Sequence, residues 1–266
     1  PDGSLPPLQA SDVERLTIVG SDTENLIDLT GVTPASFTFV DIGTGNPLQI
    51  TVDAVNGDDT IIASDGFDDT LDGGDGNDVI TISSGLGNLT IFGEDGNDTI
   101  TGGAGNDTID SHDGDDVVDA GAGDDSVTAG NGADSIVGNL GNDTVLAGNG
   151  TDTVDGGVGN DSIRGEDGFD SIIGGDGDDT LHGGLQNDTI DGGFGDDLID
   201  GAAGADSIFG NFGDDTVKGG SGTDSLDGGA GNDLVNGMSG VDTLSGGPHD
   251  DLLFGGGGSD VLNGDA

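Results

Sequence analysis

GGAGNDTID (102–110), SHDGDDVVD (111–119), AGAGDDSVT (120–128) and AGNGADSIV (129–137) are four consecutive copies of one nine-residue unit, G-G-x-G-x-D-x-U-x, in which U is aliphatic. The unit runs unbroken from Gly93 to Asn263, nineteen times. Its sixth position is Asp and its eighth Ile, Val or Leu in all nineteen copies. The fourth is Gly in seventeen, with Gln186 and His249 the exceptions, and the seventh is Ser or Thr in fourteen. A period this short and regular means a solenoid, because one unit cannot bury its own apolar face and must stack on neighbours.

Each position has a physical reading. Positions 1 to 6 form a turn, with glycine where φ must be positive. Positions 7 to 9 form a short strand whose single inward residue is the aliphatic at position 8. Two units make one coil, so the fold class is all-β: a parallel β-roll, or β-solenoid, with two nine-residue repeats per turn. Eighteen residues on, the chain lies one turn higher, ~4.8 Å away. Asp98 then stacks under Asp116 and Asp107 under Asp125, and each edge becomes a ladder of carboxylates. Neighbouring rungs repel by ~1 kcal/mol in water and by about 3–4 kcal/mol at an effective dielectric of 20.

The core is thin. One buried aliphatic contributes roughly 1.5–3 kcal/mol, whereas ordering nine residues costs about 9–18 kcal/mol of backbone entropy. A cation that contacts only the folded state supplies the difference. Carboxylates beside backbone carbonyls, with no Cys in the chain, suit Ca²⁺ better than Zn²⁺ or copper, and Mg²⁺ keeps its water. The candidate ligands in the regular run are Asp98, Asp107, Asp116, Asp125, Asp134, Asp143, Asp152, Asp161, Asp170, Asp179, Asp188, Asp197, Asp206, Asp215, Asp224, Asp233, Asp242, Asp251 and Asp260. Asp59, Asp69 and Asp78 hold the same place in less regular repeats before it. Filling about seventeen inter-rung gaps with a divalent ion would cancel roughly 34 negative charges.

Composition bounds the partners. With 54 acidic residues against 3 Lys or Arg, the net charge is −51. Such a balance often marks disorder, but a disordered tail has no reason to keep Asp and aliphatics in register. Nucleic acid is excluded, because its phosphates would be repelled, and a bare anionic membrane is disfavoured on the same ground. No run approaches the ~18 apolar residues of a membrane span, so no membrane insertion is expected. No secretory leader is visible. The chain starts at Pro1 and stops at Gly264-Asp265-Ala266, the beginning of another repeat. The expectation is a processed product in which more chain follows or another copy stacks, giving end-to-end self-association.

From Gly93 to Asn263 the nonapeptide resembles the calcium-binding repeat of RTX (hemolysin-type) proteins. The resemblance implies a right-handed roll, with several calcium ions held between loops n and n+2 by the position-6 Asp and loop carbonyls. It also implies a bacterial protein, secreted or at the cell surface, that folds on meeting extracellular calcium.

Departures are informative. Ala63 and the pair Ile82-Ser83 look like insertions, and Leu89 takes the Asp place of repeat 84–92, removing one carboxylate. The missing glycines at Gln186 and His249 count against loops 183–188 and 246–251 as full sites. Three regions follow: 1–53, irregular β coils or an N-terminal cap; 54–92, degenerate repeats; 93–266, the regular roll. In the first, Leu16/Ile18, Ile27/Leu29, Phe37/Phe39 and Ile50/Val52 alternate as strands do, and a separate small β domain is the alternative.

Nothing reads as catalytic. The acidic clusters recur in every repeat, His112, His182 and His249 sit at different repeat positions, and Arg15, Arg164 and Lys218 look isolated. Phe194 and Phe212 share position 3 eighteen residues apart and should stack. The expected function is a secreted calcium-binding structural protein, not an enzyme, that builds an extracellular filament, surface layer or matrix. The alternative is a calcium-dependent folding and secretion module of a larger enzyme, toxin or adhesin.

Overall fold

The structure is a computed structural model that describes residues 16–19, 36–40, 51–54, 57–63, 69–82 and 86–264. Among these the regular elements are strands, and every pairing is parallel. Successive strands alternate between two sheets. One holds fourteen described strands, from Leu16–Val19 to Val261–Asn263, and the other twelve, from Thr51–Asp53 to Leu252–Phe254. In the regular run Val118 pairs with Ile136 and Ile136 with Val154, so one turn takes eighteen residues. This is a β-roll with two repeats per turn.

The aliphatic at position 8 faces inward, and Ile100, Ile109, Val118 and their equivalents through Leu244 form one continuous buried file. The strands are longer than positions 7 to 9, however. From Val117–Ala122 to Leu234–Gly240 they run six or seven residues, as in Ser126–Asn131 and Ser162–Gly168. They continue into positions 1 to 3 of the next repeat, and position 1 is a second inward place, occupied by glycine, by Ala120, Ala129 and Ala147, or by Ser111, the last four fully buried. The physical reason is that stacked turns pair through the bend. The Ala122 amide donates to Gly103 O at 2.9 Å and the Gly123 amide to Leu140 O at 2.7 Å, so buried main-chain groups stay satisfied where the sequence suggests a loop.

The bend is made at two left-handed positions, 2 and 4. Gly130 has φ 106° and Gly132 φ 147°. A Cβ at Gly132 would also run into the carbonyl oxygen of Gly114 one turn below. Gln186 (φ 70°) and His249 (φ 101°) adopt the same hand at position 4 without being glycine, at roughly 1–2 kcal/mol each. The strand before Gln186, Thr180–Leu185, keeps the length of its neighbours, whereas the strand before His249 stops at Ser245.

The degenerate region differs in register. Ile61 pairs with Ile80 nineteen residues on, Ile80 with Ile100 twenty on, and Ile91 with Ile109 eighteen on. The extra residues lengthen two strands, Thr60–Ala63 and Val79–Ile82, and their paired ends Ala63 and Ile82 are buried. Ser83 lies outside the described residues. So do most of 1–53, including Ile27, Leu29 and Ile50. There the strand Leu16–Val19 pairs with Ser36–Val40, which pairs in turn with Thr60–Ala63.

Gly132→Ala should destabilise the calcium-loaded roll by about 1–3 kcal/mol, read as a lowered midpoint in denaturant. An unchanged midpoint would mean that the turns are not as tightly stacked as described.

Candidate metal sites

The position-6 Asp ends each turn immediately before its strand. Stacking sorts these residues into two files. One runs Asp59, Asp78, Asp98, Asp116, Asp134, Asp152, Asp170, Asp188, Asp206, Asp224, Asp242, Asp260. The other runs Asp69, Leu89, Asp107, Asp125, Asp143, Asp161, Asp179, Asp197, Asp215, Asp233, Asp251. From Asp59 to Asp242 the carboxylates are only 1–2% exposed. The carboxylates of each edge ladder thus lie inside the wall of the roll. Asp251 and Asp260, in the last described turns, are partly exposed.

One oxygen of each carboxylate explains the burial. The Asp98 amide donates to Asp116 Oδ1 at 2.8 Å, the Asp125 amide to Asp143 Oδ1 at 2.8 Å, and the Asp143 amide to Asp161 Oδ1 at 2.8 Å. The pattern holds from Asp59 to Asp260 in one file and from Leu89 to Asp251 in the other. Oδ1 thus supplies the acceptor that the turn cannot offer from its main chain.

The other oxygen has no such partner. Oδ2 of all nineteen position-6 Asp residues from Asp78 to Asp251 is buried without a hydrogen bond. It points at position 1 of its own repeat, where a Cβ on Gly138 would collide with Asp143 Oδ2 and lie 2.5 Å from Gly156 O of the next turn. A carboxylate oxygen and a main-chain carbonyl oxygen therefore converge between successive turns. Leaving an ionised oxygen buried and unpaired costs several kcal/mol, and here the cost recurs at every rung. A hard cation that accepts mixed carboxylate and carbonyl oxygens removes it. Among the described residues no three His, Asp or Glu side chains gather at one point, so the donor set is one carboxylate per loop plus main-chain oxygens.

The RTX calcium-binding nonapeptide repeat (4 copies) matches residues 53–88, 92–127, 128–163, 155–190, 164–199, 183–217, 200–235, 209–244 and 236–266. The chain belongs to this RTX family. Its repeats bind calcium, several ions between the turns. No curated protein matches the chain closely enough to serve as a relative.

Burial dominates the electrostatics of the metal-free RTX roll. Desolvation pushes Asp98, Asp125, Asp179 and Asp197 up to about 7, with the amide hydrogen bond to Oδ1 opposing and the neighbouring rungs adding to the rise. Asp107, Asp143 and Asp215 are pushed up to about 6 by the same desolvation. The folded, metal-free state thus binds more protons than the unfolded chain between about pH 4 and pH 7.

The irregular loops take their places in the files. Leu89 is buried, and its amide donates to Asp107 Oδ1 at 2.8 Å, so the turn closes but brings no carboxylate. Asp188, in the loop with Gln186, accepts from the Asp170 amide at 2.9 Å, and Asp251, after His249, accepts from the Asp233 amide at 3.0 Å. Both keep a buried Oδ2 like their neighbours, so the missing glycines leave the carboxylate geometry intact.

Two features escaped the sequence reading. Position 5 forms a second, exposed ladder of opposite polarity. The Asn106 amide donates to Asn88 Oδ1 below it, the Asn142 amide to Asp124, the Asp196 amide to Asp178 and the Asn232 amide to Asp214. The signal was present, since position 5 is Asn or Asp in twelve of the nineteen repeats. The second feature is that Arg164 and Lys218 are not isolated but share one outward column with His182. Phe194 and Phe212 do stack, with ring centroids 4.8 Å apart and planes within 6°.

Two outcomes are expected. In chelator, each raised carboxyl favours the roll fully below about pH 4 and loses that contribution as pH rises through about 6–7. Circular dichroism of the metal-free chain should therefore gain strand signal on acidification from pH 7.5 to 4.5; a loss of signal would contradict the assignment. Asp143→Ala removes one Oδ2 and the acceptor for the Asp125 amide. It should cost about 1–3 kcal/mol in calcium and remove one or two bound ions by native mass spectrometry while the rod stays folded.

Proposed function

We propose that this chain is a structural protein outside the cell, whose roll sets when it meets calcium and then serves as a rod in an extracellular filament, surface layer or matrix. The position-6 Asp residues of both files, from Asp59 to Asp260, are its calcium ligands. The observation that carries this reading is the continuity of the two files. The same half-satisfied carboxylate recurs at nearly every turn, and the molecule is organised around ion uptake along its whole length rather than around one reactive centre. RTX repeats occur in secreted bacterial proteins, which supports placement outside the cell, where calcium is plentiful. The regular roll from 93 to 266 is the calcium-responsive part. The repeats of 54–92 extend it with fewer carboxylates, and the strands of 1–53 lead into it.

Such a rod has no need of a nucleophile, and its function is mechanical: compliant and repelled by its own charge without calcium, stiff with it. Electron microscopy of the purified chain in millimolar calcium and in chelator tests the assembly. Long filaments in calcium alone are the expected result. Short single rods in calcium would instead favour a folding and secretion module of a larger enzyme, toxin or adhesin.

A further inference from the structure

The two edges of the roll are built from the same nonapeptide but carry different side chains at its free positions. On the edge that follows the fourteen-strand sheet, position 3 runs in register through Leu140, Val158, Asp176, Phe194 and Phe212 on successive turns. Its four apolar members are about half exposed, from 48% at Val158 to 57% at Phe194. On the same turns position 5 is an exposed row of Asn142, Asn160, Asp178, Asp196 and Asp214. Position 5 is Asp or Asn in all nine repeats of this edge, from Asn106 to Asp250, but in only three of the ten on the other. On that other edge position 3 is polar through Asn131, Asn149 and Asp167, and the exposed Leu185 and Phe169 fall in different columns. The fold asks for neither choice, since the bend is made at positions 2 and 4 and the buried carboxylate stands at position 6. One edge alone is therefore an apolar ridge beside an anionic row.

We infer that this edge is a docking surface for a cationic amphipathic helix of another protein. The inference needs the calcium-set roll but not the filament. A single exposed apolar residue calls for no partner, whereas a contiguous row does. Phe194 and Phe212 stack on each other and still leave more than half of each side chain in water, so they do not serve as a cover for the loops. The charge beside them selects the occupant. The Asp196 amide holds Asp178 Oδ1 at 2.9 Å, the Asp214 amide holds Asp196 Oδ1 at 2.8 Å and the Asn232 amide holds Asp214 Oδ1 at 2.8 Å. Each carboxylate is thus fixed by one oxygen with the other left for a partner, which lowers the cost of ordering it on binding. The main-chain and side-chain amides of Asn232 also hold Asp214 below the usual carboxylate range. Among the described residues the ion pairs lie elsewhere, at His112 and Arg164. A net charge of −51 draws a cationic partner in and repels a second copy or a polyanion. The rungs repeat at ~4.8 Å, close to the ~5.4 Å pitch of an α-helix, so the ridge from Leu140 to Phe212 matches about 13 residues of helix. Asp176, midway along it, would take a cation between the two apolar pairs. A peptide strand would need free main-chain groups, but here the Gly177 amide already donates to Phe194 O at 2.7 Å and the Gly195 amide to Phe212 O at 2.8 Å.

The test uses the whole chain in saturating calcium, with circular dichroism confirming the roll. The probe is a fluorescein-labelled amphipathic helix of about 14 residues, made of Leu on one face and Lys on the other. A scrambled peptide of the same composition and an oligolysine of equal charge are its controls, all read by fluorescence anisotropy. The amphipathic helix should bind roughly tenfold more tightly than either control. The double variant Phe194→Ser/Phe212→Ser should weaken it roughly tenfold. Asp196→Asn/Asp214→Asn, which keeps the acceptors for the amides, should weaken it by about the same factor. Leu185→Ser, on the other edge, should leave it unchanged. Equal binding of the scrambled peptide or of oligolysine would mean charge attraction alone and overturn the surface. So would helix binding indifferent to the Phe variant. No helix binding, with self-association or binding to phosphatidylcholine vesicles that the Phe variant abolishes, would give the ridge to a second copy or to a membrane and overturn the helical partner. Each of these outcomes leaves the calcium-dependent roll intact, whereas loss of the roll itself in calcium would overturn both readings.

Discussion

Each turn of this roll closes by burying a carboxylate of which only one oxygen is satisfied. Oδ1 takes the amide of the turn below, and Oδ2 is buried beside position 1 and the carbonyls of the turn above. An aspartate can serve as a structural hydrogen-bond acceptor in this way only if something neutralises its other oxygen, so folding and ion binding become one event. The remaining regularities of the sequence follow. Position 1 must be small because Oδ2 occupies the space where its side chain would go. Positions 2 and 4 must tolerate a left-handed backbone because the bend is made there. The core can be one aliphatic per repeat because the ion, rather than apolar area, supplies the missing stabilisation.

The same constraint explains why substitutions are tolerated where they are. Gln186 and His249 replace a glycine and keep the turn, because positive φ costs a side chain only a modest strain while the position-6 carboxylate remains. Leu89 replaces the carboxylate itself and keeps the turn closed through the Oδ1 of Asp107 above it. It sits where the period of its own file slips by two residues, while the other file slips too and keeps its carboxylates.

Much of this was legible in the sequence. The period, two repeats per turn, the stacking of Asp98 under Asp116 and the choice of calcium all followed from spacing and residue type. So did the insertions, because Ala63 and Ile82 break a count of nine. What was not legible came from the third dimension. The sequence gives no sign that the turn continues as strand through positions 1 to 3, because that depends on amides of one turn meeting carbonyls of the next. Nor does it show that one oxygen of each carboxylate takes an amide of the turn below while the other is buried without a hydrogen bond. Arg164 and Lys218 looked scattered because residues 54 apart become near neighbours only when the period places both at position 9 of the same sheet.

The most direct test of the account is circular dichroism at neutral pH, in chelator and then in millimolar calcium. The buried, half-satisfied carboxylates predict a disordered spectrum in chelator and a strand spectrum on adding calcium, reversed by removing the ion. A strand spectrum of equal strength in chelator would contradict the account, because it would show that the roll can bury its ionised aspartates without a cation.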